Sequence, residues 1–89
     1  MQDITIVVHN KVGLHARPAA LFVQIAVAHQ SKITVIKGEK TGNAKSILSI
    51  LALGVNQDDK ITIQADGADE GAALEKLAKL IEDNFGECR

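Results

Sequence analysis

The sequence has few of the features that nucleic-acid and membrane binding require. Only two of its 89 residues are aromatic, both phenylalanine, so it lacks the side chains on which single-stranded nucleic acid stacks. Its formal net charge of −1 gives no overall basic surface for DNA or RNA. No apolar run reaches membrane-spanning length, and Asp3 interrupts any signal-peptide pattern at the start. We therefore expect no direct nucleic-acid binding, no membrane insertion and a cytoplasmic location.

Cysteine is nearly absent as well. The single Cys88 cannot form an internal disulfide, which fits a reducing compartment. A length of 89 residues supports one compact domain rather than two. Apolar residues make up 46% and charged residues 24%, a balance typical of globular domains. We expect one domain over residues 1–89, present as a monomer.

The hydrophobic pattern predicts seven elements in the order β-α-β-β-α-β-α. The predicted strands are Asp3–His9, Lys32–Lys37, Lys40–Asn43 and Lys60–Ala65. The predicted helices are Arg17–Ala28, Ser46–Leu53 and a last one whose first turn holds Asp69 and Glu70. Short connections and few strands favour an α+β open-faced sandwich, in which three helices cover one face of a four-stranded, mostly antiparallel sheet.

His15 lies in the stretch GLHARPAA, residues 13–20, just before the first predicted helix. The first N–H groups of a helix have no intrahelical partner, and with the positive end of the dipole they attract anions. The same positive end disfavours imidazolium, which helps to keep the ring neutral and nucleophilic. Arg17 adds a guanidinium whose donors suit a phosphoryl group. A neutral imidazole in this setting can accept a phosphoryl group covalently.

The residues alone leave a second interpretation of His15 open, a capping histidine beside a surface arginine. Metal binding fits less well, because no second His, Cys or carboxylate stands at helix or loop spacing to His15. A hydrolase would need an orienting acid that nothing local supplies. We expect no metal and no cofactor. His9 and His29 end a strand and a helix, where solvated side chains are expected.

The short helix that begins near Ser46 is apolar on nearly all sides, and Ser46 is a natural N-cap. Ile50 and Leu53, three residues apart, make a plausible inward face. The side chains that are then left partly exposed are Ile47, Leu48 and Leu51. An exposed apolar patch on a small protein indicates a partner surface, and tighter burial is the alternative.

GLHARPAA closely resembles the active-site signature of HPr, the family of histidine-containing phosphocarriers of the bacterial sugar phosphotransferase system. NAKSILSILALGV, residues 43–55, is similar to the family's second signature, and the resemblance covers essentially the whole chain. It implies that His15 accepts a phosphoryl group through Nδ1 from enzyme I, that Arg17 supports this group, and that sugar-specific IIA domains receive it. The chain would then be a carrier with a phosphohistidine intermediate rather than an enzyme.

The resemblance also implies partner contacts and regulation. The positions it assigns to partner binding are Ala16, Ala20, Gln24, Ile47, Leu48 and Leu51. In low-GC Gram-positive members the serine matching Ser46 is phosphorylated by a dedicated serine kinase/phosphorylase, and that form acts with a catabolite control transcription factor. The alternatives to a sugar-transport carrier are a nitrogen-branch or otherwise specialised HPr paralogue and a non-catalytic anion-binding interaction module.

Overall fold

The computed structural model describes residues 1–9, 13–14, 16–83 and 85. Its elements follow the predicted order β-α-β-β-α-β-α. The strands are β1 (Gln2–Val8), β2 (Lys32–Lys37), β3 (Lys40–Asn43) and β4 (Asp59–Asp66). The helices are α1 (Ala16–Val27), α2 (Ile47–Ala52) and α3 (Glu70–Glu82). None of these helices is long and apolar enough to cross a membrane, as judged over the described ranges.

The element boundaries agree closely with those predicted from the sequence. β2 and β3 have the predicted bounds, and each end of β1, α1, α2 and β4 lies one residue from its predicted position. For α2 the reason is capping, because Ser46 is the N-cap and Leu53 the C-cap, which flank the helical residues. Gly54 follows the C-cap with a φ of +66°. A glycine at that position favours the left-handed conformation that ends a helix.

The four strands form one sheet in the order β1-β4-β2-β3, and every pairing is antiparallel. β4 lies inside the sheet, where Ile63 pairs with Ile4 on one side and Val35 on the other. Alternation along the strands places apolar side chains on one face. The buried members of this face in β2 and β4 are Ile33, Val35, Ile61, Ile63 and Ala65. The opposite face is more polar and includes Thr5 and Thr62, whose hydroxyl oxygens are 3.0 Å apart.

The helices cover the apolar face of the sheet and complete the predicted open-faced sandwich. α1 and α3 each bury a stripe of side chains spaced three or four residues apart, as expected for amphipathic helices. In α1 these are Ala19, Phe22, Val23 and Ala26, and in α3 they are Ala73, Leu74, Leu77 and Ile81. Burial of these stripes against the sheet determines which sides of the helices face solvent.

Asp69 connects the start of α3 to the turn between α1 and β2. It was expected in the first turn of the helix, but it occupies the N-cap position and makes no side-chain hydrogen bond to its own helix. Its carboxylate instead accepts hydrogen bonds from the N–H groups of Gln30 at 2.9 Å and Ser31 at 3.0 Å, and from the Ser31 hydroxyl. Ser31 is fully buried. These bonds, the one from the Ser31 hydroxyl above all, lower the pKa of Asp69 to about 2.

Folding lowers the pKa of Asp69, so its ionised carboxylate stabilises the folded state relative to the unfolded state. This stabilisation should be fully present above the ordinary pKa of 3.8 and should be lost as the pH falls through about 2. We predict that Asp69→Asn lowers the urea midpoint near neutral pH and that its deficit shrinks steadily over this acidic window. Urea unfolding followed by circular dichroism across the window measures this. Asp3→Asn, at an exposed position, is the control, and a deficit that stays constant with pH would contradict the assignment.

Candidate functional site

The first turn of α1 contains Arg17, the charged residue of the GLHARPAA motif that the structure describes. α1 begins at Ala16, and Arg17, its second residue, is exposed. Pro18 is buried in the first turn, where its missing N–H removes no helical hydrogen bond. This first turn contains no acidic residue, so no carboxylate of its own offsets the positive end of the helix. His15 and the side chain of Ala16 lie outside the described residues.

The backbone that precedes α1 rests on the segment that follows α2. Leu14 is buried in the core, and its N–H donates to the carbonyl oxygen of Val55 at 3.0 Å. Gly13 has a φ of +61°, and a Cβ built on it would lie 2.7 Å from the Cα of Asn56. The chain before α1 is therefore held by close main-chain contacts. Sequence reasoning did not identify this packing partner.

The outward side of α1 contains three of the residues that the sequence analysis singled out. Arg17 and Gln24 are exposed and Ala20 is half-buried. Their spacing of three and four residues places them on one side of the helix. This side is available because the other side of α1 packs into the core.

α2 divides its apolar residues as predicted. Ile50 and Leu53 are buried, which confirms the inward face. Leu48 is 80% exposed, Ile47 43% and Leu51 38%, and we call these three residues the α2 patch. Ser46 caps the helix as predicted, accepting a hydrogen bond from the N–H of Ser49 at 3.3 Å.

The start of α2 is joined to the end of α1 by a lysine. Lys45 Nζ donates to the carbonyl oxygen of His29 at 2.8 Å, where a cation satisfies a group near the helix C-terminus. His29 Nδ1 in turn donates to the carbonyl oxygen of Ile25 at 2.8 Å. The expectation of a solvated His29 is therefore wrong in part, since the ring is half-buried and bonded to the last turn of α1. His9 is exposed as expected, with Nδ1 3.4 Å from a carboxylate oxygen of Asp58.

The geometry of the described residues offers a helix start and an apolar surface. Over residues 1–9, 13–14, 16–83 and 85, no three His, Cys, Asp or Glu side chains gather in a way that could hold a metal ion. α1 and α2 pack against each other, so the outward side of α1 and the α2 patch belong to neighbouring elements. This arrangement suits an anionic group at the helix start and a protein partner beside it.

Comparisons with known proteins agree with this description. The family model "PTS HPr component phosphorylation site" matches residues 2–83. Phosphocarrier protein HPr of Haemophilus influenzae is 46% identical over 80 residues, covering 90% of this chain and 92% of that protein. The crystal structure of HPr-C-His from Thermoanaerobacter tengcongensis has a TM-score of 0.97 and 50% identity, with all of both chains covered. A domain-swapped dimer of the Bacillus subtilis catabolite repression protein Crh has a TM-score of 0.75 and 43% identity, covering 94% and 97%.

The antiparallel open-faced sandwich, with GLHARPAA leading into its first helix, defines the class as small phosphocarriers of the phosphotransferase system. Within that class, the match over residues 2–83 and the 46% identity to a curated relative show that this chain belongs to the HPr family.

The burial of α2 predicts two very different responses to alanine. Ile50→Ala removes a fully buried side chain and should cost ~2–5 kcal/mol of unfolding free energy, whereas Leu48→Ala should change it by within ~0.5 kcal/mol. Both substitutions lie in the same short helix, so intrinsic helix propensity changes little between them. Urea denaturation of the two variants measures the difference, and equal losses would contradict the assigned faces.

Proposed function

We propose that this chain is a cytoplasmic, monomeric relay that accepts a phosphoryl group on His15 from phosphorylated enzyme I and passes it to sugar-specific IIA domains. The observation that carries the proposal is the start of α1, where the GLHARPAA motif leads into a helix whose first turn has an exposed Arg17 and no acidic residue. Membership of the HPr family supports a carrier role.

The proposed transfer is a substitution at phosphorus. A neutral ring nitrogen of His15, Nδ1 by the family resemblance, forms a bond to the phosphorus. The bond between that phosphorus and the histidine of enzyme I breaks, and the leaving nitrogen keeps the electron pair. Transfer to a IIA domain repeats the same exchange with His15 as the leaving group. Nearly equal donor and acceptor chemistry makes the relay reversible, which suits a carrier.

The first turn of α1 supplies the proposed electrostatic support. The N–H groups of a first turn lack helical partners, and the aligned peptide dipoles favour negative charge there. Arg17 is the second residue of this turn and is exposed, so its guanidinium can contact a phosphoryl group that a partner brings. Charge-assisted hydrogen bonds from arginine to phosphate are stronger and more directional than neutral ones. We assign Arg17 to phosphoryl stabilisation.

The α2 patch, with Ala16, Ala20 and Gln24 of α1, is the proposed docking surface for enzyme I and IIA domains. Leu48 is the most exposed member of the α2 patch. Complete burial of a leucine contributes roughly 1.5–3 kcal/mol, so a partner that covers this patch gains affinity without altering the fold of the carrier. The three side chains of the α2 patch are uncharged, so a partner needs no matching charge to bind there, and several partners can share the surface.

A reconstituted relay tests the assignment of the acceptor. Phosphoenolpyruvate, enzyme I and a IIA domain are mixed with the unaltered chain or with His15→Ala, and phosphorylated IIA is quantified over time. We predict that His15→Ala abolishes transfer because it removes the ring nitrogen that we propose as the acceptor of the phosphoryl group. His9→Ala is the matched control, since His9 is an exposed histidine to which the proposal gives no part in transfer, and it should transfer normally. Transfer that persists in His15→Ala, or that is lost in His9→Ala, would refute the assignment.

We further propose that Ser46 is the site of regulatory phosphorylation by an HPr serine kinase/phosphorylase, and that the modified chain binds a catabolite control transcription factor. Ser46 directly precedes Ile47 and is only partly buried. A phosphate there adds about −1.5 to −2 charges next to the proposed docking surface. Desolvating such a charge against an apolar partner is costly.

Ser46→Asp mimics part of this charge and keeps a good N-cap, so the helix should be retained. We predict that it weakens binding of enzyme I and that the loss shrinks as salt screens the charge. Titration of enzyme I at low and high salt measures the effect. Ser46→Ala removes the cap without adding charge and serves as control. Equal weakening by both variants would assign the effect to capping, and no weakening by either would place docking elsewhere.

A further inference from the structure

The backbone before α1 touches the backbone after α2 so closely that no side chain fits between them. A Cβ at Gly13 would overlap the carbonyl oxygen of Val55 and lie 2.7 Å and 2.9 Å from the Cα and carbonyl carbon of Asn56. All three are backbone atoms, which cannot rotate away as a flexible side chain can. The adjacent Leu14 N–H donates to the same Val55 oxygen at 3.0 Å. Any residue larger than glycine must therefore push these two segments apart.

Gly13 packs against the segment formed by residues 54–56. Side chains of the sheet hold this segment in place. Lys37 Nζ, at the end of β2, donates to the carbonyl oxygen of Gly54 at 2.7 Å and lies 3.2 Å from a carboxylate oxygen of Asp59. That carboxylate oxygen accepts a hydrogen bond from the N–H of Asn56 at 2.8 Å. The N–H of Asn56 and, next, Lys37 lower the pKa of Asp59. The 54–56 segment thus has charged hydrogen-bond partners at both of its ends.

We propose that Gly13 is a positioning residue for phosphoryl transfer, which sets the backbone before His15 against the 54–56 segment that Lys37 and Asp59 hold in place. The inference rests on the proposed function, because it assigns Gly13 a role in transfer to His15. Gly13 is not part of the proposed docking surface, which consists of the α2 patch with Ala16, Ala20 and Gln24 of α1. A displacement at Gly13 should therefore alter the geometry of transfer while leaving docking nearly unchanged, because misplacing a reacting group by about 1 Å can cost up to about a hundredfold in rate.

Gly13→Ala is the direct test, with transfer from phosphorylated enzyme I measured by rapid quench over a range of enzyme I concentrations. We expect the rate at saturation to fall about tenfold or more while the half-saturating concentration changes by less than about twofold. Gly38→Ala is the matched control. Gly38 has a φ of +60°, and a Cβ built on it meets no atom within 4 Å. It should lose stability from the same backbone conformation and keep the normal rate.

Lys37→Met tests the same inference through the other side of the contact, which matters if Gly13→Ala fails to fold. It removes the bond to the Gly54 carbonyl and should also lower the saturating rate, with Lys37→Arg restoring it. Wild-type rates in Gly13→Ala, an equal loss in Gly38→Ala, or wild-type rates in Lys37→Met would each overturn the inference and leave the proposed function intact. Absence of transfer to the unaltered chain would overturn the proposed function and this inference together.

Discussion

The apolar layer between the sheet and the helices is the constraint on which the rest of the molecule depends. Strand alternation gives the sheet one apolar face, and the buried stripes of α1 and α3 must lie on it. Once Phe22 and its neighbours are buried, the rotation of α1 is set, and Arg17 and Gln24 have to face solvent. The burial of Ile50 and Leu53 sets α2 in the same way and leaves Leu48 outside. The outward surface is thus a consequence of the core.

The backbone at the start of α1 is positioned by polar contacts of a different kind. Leu14 enters the core, but its N–H and the absence of a side chain on Gly13 decide how the chain meets Val55 and Asn56. A carrier needs its reactive group held firmly yet open to successive partners. Main-chain contacts of Gly13 and Leu14 fix these two residues before the motif's histidine, and they leave Arg17 exposed. The same reasoning explains why the proposed chemistry requires little more than one helix terminus and one guanidinium, with the partners supplying the rest.

Periodicity predicted the elements well because the strands bury alternate side chains and the helices bury side chains spaced three or four residues apart. The order of elements and the inward face of α2 were predictable from spacing, the antiparallel sheet from the short connections, and the capping by Ser46 from its residue type. Contacts between residues far apart in the sequence could not be predicted in this way. Asp69 bonds to Gln30 and Ser31 rather than to its own helix, and nothing local to any of these residues signals that partner. The roles of Arg17, Ser46 and the α2 patch remain predictions, since they concern encounters with other molecules.

The central claim is that this chain carries a phosphoryl group on one histidine, and peptide mapping of the unaltered protein tests it most directly. The chain is incubated with phosphoenolpyruvate and a catalytic amount of enzyme I, then analysed by intact mass and by digestion at alkaline pH. The account predicts a gain of one phosphoryl group, located on the peptide that contains His15, that is lost in acid and retained in alkali. No mass gain under conditions that phosphorylate an established HPr, or a group located on His9 or His29, would contradict it.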